Sequence, residues 1–512
     1  MLLAAALRRA VQLKGGQTAL VCADRAWTWK HLHDRIARMA AGLSSMGVRP
    51  GDRIMAVMAN GDDAFALFHA AAWMRAVIVP LNTRWTADEM AFAVEDCTPV
   101  LLVADEVFEA IATEVAARTA TPIVGRAGPS PSLESLVAAS APMASVDGAD
   151  SDLLAIFYTG GTTGRSKGVM LSHGNVAFNS LSTIGEGLYA EAETYLHTSP
   201  AFHIAGAGAM FACVVSACVS VVLPRFEAGE VLAAIARDAI TETHLVPTMV
   251  QMVLDHPAFA ATDLSSLRAI SYGASPISEA VLDRAMAALP HVGFIQLYGM
   301  TELSPVCTFL PPRDHGPQAR AKGRHRSAGR ASIGVEMAII GENDERLPAR
   351  QVGEIIARGP NVMLGYWNRP RETAEALRGG WMHTGDGGFM DEDGYVYVVD
   401  RVKDMIISGG ENVFSVEVEN VLAQHPAVQQ CAVIGVPHER WGEQVHGVVM
   451  VREGHAVEPA ELDRWCRERL AAFKIPRSFD FRREPLPMSG AGKILKRDLR
   501  APYWESGGRQ VG

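Results

Sequence analysis

The sequence predicts an α/β protein with a large N-terminal domain, residues 1–400, and a small α+β C-terminal domain, residues 401–512. Two observations predict this class. Amphipathic helical patterns alternate with short apolar runs through the first half, as in mostly parallel sheets that helices cover on both faces. Near residue 400 the apolar pattern starts afresh, and about a hundred residues suffice for a second, smaller core.

The individual elements follow from the period of apolar residues and from the residues that flank them. In the large domain, helices are expected over 27–47, closed by Gly47, and over 62–74, with strands at 53–60, 76–82, 152–159, 243–247, 267–273 and 293–299. In the small domain, helices are expected over 414–426, with Ser415 as a cap, and over 461–473, with strands at 428–436 and 445–451.

Composition excludes several classes of protein. The 512 residues carry a net charge of -10 without a long basic run, which argues against a protein that coats nucleic acid. The seven cysteines form no C-x-x-C pair, which argues against a disulfide framework, a zinc knuckle or a redox motif and fits a reducing cytoplasm.

Two apolar segments raise the question of a membrane or a secretory signal. Arg8 and Arg9 follow the apolar start and no small-residue cleavage site does, so an amphipathic helix is expected there. The uncharged stretch 205–223 could just span a bilayer, but its β-branched second half precedes Pro224. That pattern favours a buried helix followed by a buried strand. A cytoplasmic protein without stable membrane insertion is therefore expected.

The segment YTGGTTGRSKG, residues 158–168, has the composition of a phosphate-binding loop. Its glycines allow backbone N–H groups to approach an anion closely, and its threonines and lysine add donors. The donors and glycines are Thr159, Gly160, Gly161, Thr162, Thr163, Gly164 and Lys167. The loop follows a predicted strand and is expected to precede a helix.

Two other motifs fit this segment less well. A Walker A loop needs Gly-Lys-Ser/Thr, but Arg165 follows Gly164, which disfavours a kinase or GTPase. GRSKG matches the G-x-S-x-G nucleophile elbow with Ser166 as nucleophile. An elbow places its serine directly after the strand, whereas TGGTTG intervenes here, which disfavours a serine hydrolase.

Residues 158–167 resemble the phosphate-loop signature of the acyl-adenylate-forming enzymes, Y-T-S-G-T-T-G-x-P-K, from which Gly160 and Ser166 depart. That family includes acyl-CoA synthetases, luciferase and peptide-synthetase adenylation domains. Four further motifs match in the family's order: LYGMTE (297–302), GWMHTGD (380–386), DRVKDMIISGGENV (400–413) and GKILKRDLR (492–500). The resemblance implies a β-rich part in the large domain and a mobile small domain.

The resemblance also implies which residues bind ATP and catalyse adenylation. The attacking carboxylate is repelled by the α-phosphate, so the site needs cations and a metal. The implied catalytic residues are Lys493, Glu302, Thr163 and Lys167, with Thr159 and Glu302 as Mg²⁺ ligands. The implied nucleotide site adds Tyr298 and, as the other wall of the adenine pocket, Gly273, Ala274 and Ser275, then Thr301 nearby, Asp386 at the ribose and Arg401 at the ribose or phosphate.

Other positions bear on the acid. His203 stands where amino-acid-activating relatives carry an aspartate, so an amino acid is disfavoured. Gly299 stands where acetate-specific relatives carry a tryptophan, so it is expected to leave the pocket open. Small residues after His203 would widen the pocket for an aliphatic or aryl acid. The expected pocket residues are His203, Ala205, Gly206, Gly208, Val246 and Gly299.

For the acceptor, the resemblance points to coenzyme A. Trp441, Phe473, Lys474 and Arg477 resemble residues that contact its pantetheine or nucleotide, and an aromatic face with cations suits that ligand. Lys403 would be the hinge of a domain rotation that withdraws Lys493 and brings Gly409 and Gly410 to a thiol tunnel.

The sequence therefore predicts an AMP-forming acid:coenzyme A ligase that uses ATP and Mg²⁺ and acts on a medium- or long-chain fatty acid or an aryl acid. A ligase that loads a carrier protein, an adenylate-dependent oxygenase and a catalytically silent nucleotide-binding protein stay open as alternatives. A homodimer is also left open.

Overall fold

The structure is a computed structural model, which describes residues 2–125, 132–159, 166–401, 404–408, 411–488 and 494–505. The helices are α1 (Leu2–Lys14), α2 (Trp29–Ser45), α3 (Asp62–Met74), α4 (Ala87–Cys97), α5 (Glu109–Thr119), α6 (Leu133–Ala139), α7 (His173–Gly185), α8 (Ile204–Ser216), α9 (Ala228–Asp238), α10 (Pro247–Asp255), α11 (Glu279–Ala288), α12 (Pro317–Ala321), α13 (Pro370–Ala376), α14 (Ser415–Leu422), α15 (Pro459–Arg467) and α16 (Lys496–Glu505).

The strands are β1 (Thr18–Cys22), β2 (Arg25–Thr28), β3 (Arg53–Val57), β4 (Val77–Pro80), β5 (Leu101–Ala104), β6 (Ile123–Val124), β7 (Leu153–Thr159), β8 (Lys167–Ser172), β9 (Thr194–His197), β10 (Val219–Val222), β11 (Glu242–His244), β12 (Ala269–Gly273), β13 (Gly293–Gly299), β14 (Val306–Leu310), β15 (Arg330–Ala331), β16 (Glu336–Ile340), β17 (Gly353–Arg358), β18 (Gly365–Tyr366), β19 (Met382–Met390), β20 (Val396–Arg401), β21 (Ile406–Ser408), β22 (Glu411–Val413), β23 (Val428–His438), β24 (Gly442–Val451) and β25 (Ser478–Arg482).

Two large, mostly parallel sheets form the body of the protein. The first has nine strands in the order β15-β14-β13-β12-β11-β9-β10-β1-β2, and the second has seven in the order β18-β8-β7-β4-β3-β5-β6. Helix α3 packs against strands of both sheets and is buried at every residue. The fold class predicted from the sequence, α/β with parallel sheets in layers, is therefore confirmed.

Two smaller sheets complete the described chain. Strands β16, β17, β19 and β20 form an antiparallel sheet, which is the β-rich part. Strands β22, β21, β24 and β23, with β25 parallel to β24, form the sheet of the α+β unit near the C-terminus. The chain leaves the first of these sheets at Arg401 and enters the second at Ile406.

Local signals explain why the predicted helices lie where they do. The hydroxyl of Thr28 accepts a hydrogen bond from the backbone N–H of His31 and so caps α2. Gly47, at φ 96°, follows the end of that helix, as predicted. Ser415 is the first residue of α14 rather than its cap, because Phe414 occupies the cap position without a side-chain bond. The expectation for Ser415 was therefore wrong by one residue.

The uncharged stretch 205–223 folds as predicted, with most of it in helix α8 followed by strand β10. Ile204, which begins the helix, is buried, as is Val222, which ends the strand. Within the described residues, none of the helices is both long and apolar enough to cross a membrane.

Candidate active site

A cleft of about 2020 Å³ opens where the strands of the two large sheets end, and residues of α14 and α16 also line it. Carboxyl ends of parallel strands are the usual place for ligands in such sheets. Among the residues predicted from the sequence, the cleft is lined by Thr159, Lys167, His203, Ala205, Gly208, Ala274, Ser275, Tyr298, Gly299, Thr301, Glu302 and Asp386.

The phosphate loop connects two antiparallel strands. Thr159 ends β7 and pairs with Lys167, which begins β8. The expectation of a helix after the loop was wrong, because the chain returns along the same sheet before α7 begins. A nucleophile elbow is a strand-to-helix turn, so the place of Ser166 next to a strand also removes the serine-hydrolase interpretation.

Glu302 and Lys167 are joined by a tyrosine that the motif analysis missed. The hydroxyl of Tyr366 donates a hydrogen bond to Oε1 of Glu302 at 2.9 Å. The Nζ of Lys167 lies 5.1 Å from the centre of the Tyr366 ring, within the range of a cation–π contact. Glu302 is only 6% exposed. Burial, followed by the charge of Glu302, raises the pKa of Tyr366 well above its usual value.

The backbone explains how these segments meet. Glu302 lies in the short 3-10 turn Thr301–Leu303 between β13 and β14, and its carbonyl oxygen accepts the N–H of Met363 at 2.9 Å. Tyr366 is in β18, which pairs with β8 directly after the phosphate loop. The only signal for Tyr366 in the sequence is the segment GYWNRP, which gives no indication of its partner.

A second pair joins the residues expected at the nucleoside. The hydroxyl of Tyr298 donates a hydrogen bond to Oδ2 of Asp386 at 2.8 Å. Burial, followed by the charge of Asp386, raises the pKa of Tyr298. Ala274 and Ser275 line the cleft, whereas Gly273 does not, and a Cβ there would lie 2.2 Å from the carbonyl oxygen of Leu297. Gly273 therefore allows β12 and β13 to approach closely, and its place in the adenine site stays a prediction.

Donors suited to Mg²⁺ are present. The carboxylate of Glu302 and the hydroxyl of Thr159 are hard oxygen ligands that line the cleft. In the described part of the chain, His, Cys, Asp and Glu residues form no group of three that could hold a metal ion. This donor set fits Mg²⁺, which is usually bound through one or two protein oxygens together with substrate phosphates.

The cleft contains some of the residues predicted for the acid pocket. His203, Ala205, Gly208 and Gly299 line the cleft, but Gly206 and Val246 do not. A Cβ at Gly206 would lie 2.3 Å from the carbonyl oxygen of Pro200, so this glycine permits the chain before α8 to pack closely. Val246 is buried at the start of α10.

Gly299, whose pocket role stays a prediction, also has a backbone role that the sequence analysis did not identify. A Cβ at this position would lie 1.9 Å from the carbonyl oxygen of Pro305. The glycine is therefore required by the backbone that crosses it, whatever the size of the acid.

Residues that the sequence analysis did not identify also line the cleft, on α7, on α8, after α7 and at the start of β14. They are Asn179, Ser180, Thr183, Tyr189, Ala209, Ala212 and Val306. The spacing of Asn179, Ser180 and Thr183 could have predicted that they share one face of a helix, but not that this face lines a cleft.

The residues expected to contact coenzyme A lie on the small unit, and among the described residues they do not line the cleft. The guanidinium of Arg477 lies 3.7 Å from the centre of the Trp441 ring, and His438 stacks on that ring at 4.3 Å. Phe473 is 37% exposed. Lys474 instead forms an ion pair of 2.6 Å with Glu417 of α14, which gives it a structural partner.

Several predicted residues lie outside the described residues, and their predicted roles stay predictions. They are Gly160, Gly161, Thr162, Thr163, Gly164, Lys403, Gly409, Gly410 and Lys493. Arg401 ends β20 opposite Asp386 in β19, but its side chain is not among those described.

The fold and the cleft together define an adenylate-forming enzyme, and comparison with known proteins agrees. Residues 7–367 match the family of AMP-binding enzymes, and residues 417–493 match the C-terminal domain of AMP-binding enzymes. The chain belongs to the AMP-binding enzyme family, as the motifs predicted, and it is an AMP-forming acid–thiol ligase.

Three similar proteins cover nearly the whole chain. A feruloyl-CoA synthase of Amycolatopsis sp. is 39% identical over 501 residues, which are 97% of this chain and 98% of the relative. A fatty acid–[acyl-carrier-protein] ligase of Streptomyces coeruleorubidus, ScoC, is 35% identical over 96% of this chain and 95% of its own. The structure of o-succinylbenzoate CoA synthetase from Bacillus subtilis with its acyl-adenylate superposes with a TM-score of 0.86, at 30% identity, covering 96% and 97% of the two chains.

Proposed function

We propose that this enzyme joins a bulky, largely apolar carboxylic acid to coenzyme A in two steps. The acid and ATP give acyl-AMP and pyrophosphate, and the thiol of coenzyme A then displaces AMP. The observation that carries the proposal is one shared cleft, which is lined by the Glu302–Tyr366–Lys167 group, by the Tyr298–Asp386 pair and by residues of α7 and α8. The 39% identity to a feruloyl-CoA synthase supports an aryl acid as the substrate.

For the first step, the loop from Thr159 to Lys167 would surround the phosphates, with Thr162 and Thr163 as hydroxyl donors. Glu302 and Thr159 would hold Mg²⁺, which when bound neutralises charge on the phosphate oxygens. Asp386 would bind the ribose, and Arg401 would bind the ribose or a phosphate. Other parts of the nucleotide site are assigned to Tyr298, Ala274 and Ser275 at the adenine, and to Lys493, whose ammonium would bridge the carboxylate and the α-phosphate.

For the second step, we propose that the small domain, residues 401–512, rotates about Lys403. The location of this hinge is supported by the change of sheet between Arg401 and Ile406. Gly409 and Gly410 would then line the path of the thiol. The stacked Trp441 and Arg477, together with Phe473, present an aromatic and cationic surface suited to the adenine and phosphates of coenzyme A.

A carrier protein is the second candidate acceptor, because ScoC, named a fatty acid–[acyl-carrier-protein] ligase, is 35% identical. The stack of Arg477 on Trp441 favours free coenzyme A, since a phosphorylated nucleotide gives both residues a partner. A thioester assay with coenzyme A and with a phosphopantetheinylated carrier protein, at equal concentrations, separates these acceptors.

The experiment that tests the function measures AMP release with ATP and a panel of acids: acetate, fatty acids of rising length, benzoates and cinnamates, each with and without coenzyme A. Release that requires both one class of acid and coenzyme A is the expected result. An enzyme that binds ATP but releases no AMP with any acid and either acceptor would contradict it.

Two variants distinguish adenylate formation from thioester formation. Lys493→Ala is expected to lose pyrophosphate exchange by orders of magnitude, yet to form thioester from a supplied acyl-adenylate and coenzyme A. Arg477→Ala is expected to do the opposite, with normal exchange and a raised KM for coenzyme A. Wild-type exchange in Lys493→Ala would remove the role assigned to that lysine.

A further inference from the structure

Asp96, near the end of helix α4, binds two neighbouring segments of the seven-stranded sheet. Its Oδ2 accepts a hydrogen bond from the hydroxyl of Tyr158 at 2.8 Å, and its Oδ1 lies 3.2 Å from the guanidinium of Arg369. Its carbonyl oxygen accepts the indole N–H of Trp367 and the side-chain amide of Asn368, both at 3.0 Å. The side chain of Asp96 is 9% exposed. One aspartate thus joins α4 to strand β7 and to the chain that follows β18.

Tyr158 and Trp367 lie on the face of the sheet that is turned toward α4. Tyr158 of β7 pairs with Gly168 of β8, whose carbonyl oxygen accepts the N–H of Trp367 at 2.7 Å. Both aromatic side chains pack in the same hydrophobic cluster as residues of α4. Because side chains alternate between the two faces of a strand, their neighbours Thr159 and Tyr366 point to the other face.

That other face carries groups proposed to act at the phosphates of ATP. Thr159 ends β7 opposite Lys167. The Nζ of Lys167 lies 5.1 Å from the centre of the Tyr366 ring, and the Tyr366 hydroxyl bonds to Glu302 at 2.9 Å. Tyr366 packs against a different hydrophobic cluster from the residue that follows it, as the alternation requires. Thr159 and Tyr366 are thus each the direct neighbour of a side chain bonded to α4.

We propose that Asp96 is a positioning residue for adenylate formation. It holds the strand ends that present Thr159, Lys167 and Tyr366 to the phosphates, although it does not itself line the cleft. The inference rests on the proposed function, which assigns those groups to ATP and its Mg²⁺. A strand end that is bonded on one face has little freedom to shift the side chains of the other face, and a misplacement of about 1 Å can cost about 100-fold in rate.

The test measures the two half-reactions separately in two variants. Asp96→Ala removes the carboxylate and keeps the carbonyl acceptor for Trp367 and Asn368, whereas Tyr158→Phe removes one hydroxyl. In ATP–pyrophosphate exchange, kcat/KM for ATP should fall about 10- to 100-fold in Asp96→Ala and about 3- to 30-fold in Tyr158→Phe. Thioester formation from a supplied acyl-adenylate should stay within about twofold of the wild type, because no pyrophosphate takes part in that step.

A double variant tests whether the two residues act together. Because the hydroxyl of Tyr158 donates to the carboxylate of Asp96, adding Tyr158→Phe to Asp96→Ala should lower exchange by no more than about a further twofold. Losses that multiply in the double variant would show that the two side chains act independently, and would overturn the inference.

Tyr395→Phe is the matched control. The hydroxyl of Tyr395 donates to Oδ2 of the buried Asp314 at 2.9 Å, and neither residue lines the cleft. The variant therefore removes a buried tyrosine–aspartate hydrogen bond of similar length at another place in the fold. It should lower the melting temperature, as Tyr158→Phe does, but leave both half-reactions unchanged.

The outcomes separate this inference from the proposed function. Wild-type exchange in Asp96→Ala or, where that variant does not fold, in Tyr158→Phe would overturn the inference and leave the ligase intact. An equal loss of both half-reactions would also overturn it, because a smaller folded fraction produces that result. A wild-type enzyme that releases no AMP with any acid would instead overturn the ligase.

Discussion

Removing one hydroxyl tests whether Tyr366 orients Glu302, the proposed magnesium ligand. Tyr366→Phe keeps the ring near Lys167 and removes only the 2.9 Å hydrogen bond to Glu302. A hydrogen bond to a buried carboxylate contributes about 1.5–3 kcal/mol. If the bond persists in the transition state, its loss lowers kcat/KM for adenylate formation roughly 10- to 150-fold.

The assay is ATP–pyrophosphate exchange with the best acid, measured across a titration of Mg²⁺. Tyr366→Phe should exchange more slowly and need more Mg²⁺. Tyr366→Leu also removes the ring beside Lys167 and should lose about a further 3- to 10-fold. A folded Tyr366→Phe enzyme with the wild-type rate at every Mg²⁺ concentration would refute the reasoning, because Glu302 would then be positioned without the tyrosine.

Two further predictions concern the pocket and its support. Burial raises the pKa of Glu242 from 4.5 to about 7, so the folded state loses stability as pH rises through that interval, by about 3 kcal/mol in all. Glu242→Gln should flatten this dependence and be the more stable protein at pH 8 but not at pH 4, in urea unfolding at both pH values. Gly299→Ala should lower the melting temperature sharply, because its Cβ would lie 1.9 Å from the oxygen of Pro305. Gly208→Ala, whose nearest contact would be 3.5 Å, should raise stability by about 0.5–1 kcal/mol and raise the KM for bulky acids; equal melting temperatures for the two alanine variants would contradict this.

Much of the fold could be predicted because its signals are local. Helix α3 was expected over 62–74 and spans Asp62–Met74, since thirteen residues without a helix breaker lie between a glycine and a strand pattern. Strand β13 was expected over 293–299 and spans Gly293–Gly299. In both cases the period of the apolar residues and the flanking glycine lie within a short stretch of sequence, so neighbouring residues suffice to predict the element.

The candidate site could be predicted only where a motif carries it. Glu302, Lys167 and Asp386 stand in recognisable segments, but Tyr366 and Asn179 do not. The hydrogen bond of Tyr366 joins residues 64 positions apart, and periodicity contains no information about that distance. Glycines were the other difficulty, because the sequence around Gly206 and Gly208 does not distinguish their roles. In the structure, Gly206 permits close backbone packing, whereas Gly208 lines the cleft.

The hydrogen bond between Tyr366 and Glu302 also joins the two large sheets. Glu302 lies between β13 and β14 of the nine-stranded sheet, whereas Tyr366 and Lys167 belong to strands of the seven-stranded sheet. The Glu302–Tyr366–Lys167 group therefore forms only when the two sheets pack together. One buried core, which contains α3 and α8 with residues of both sheets, holds that packing in place. The proposed chemistry at the phosphates would thus depend on the helices between the sheets as much as on the motifs. A motif search identifies Glu302 and Lys167 without the tyrosine that joins them.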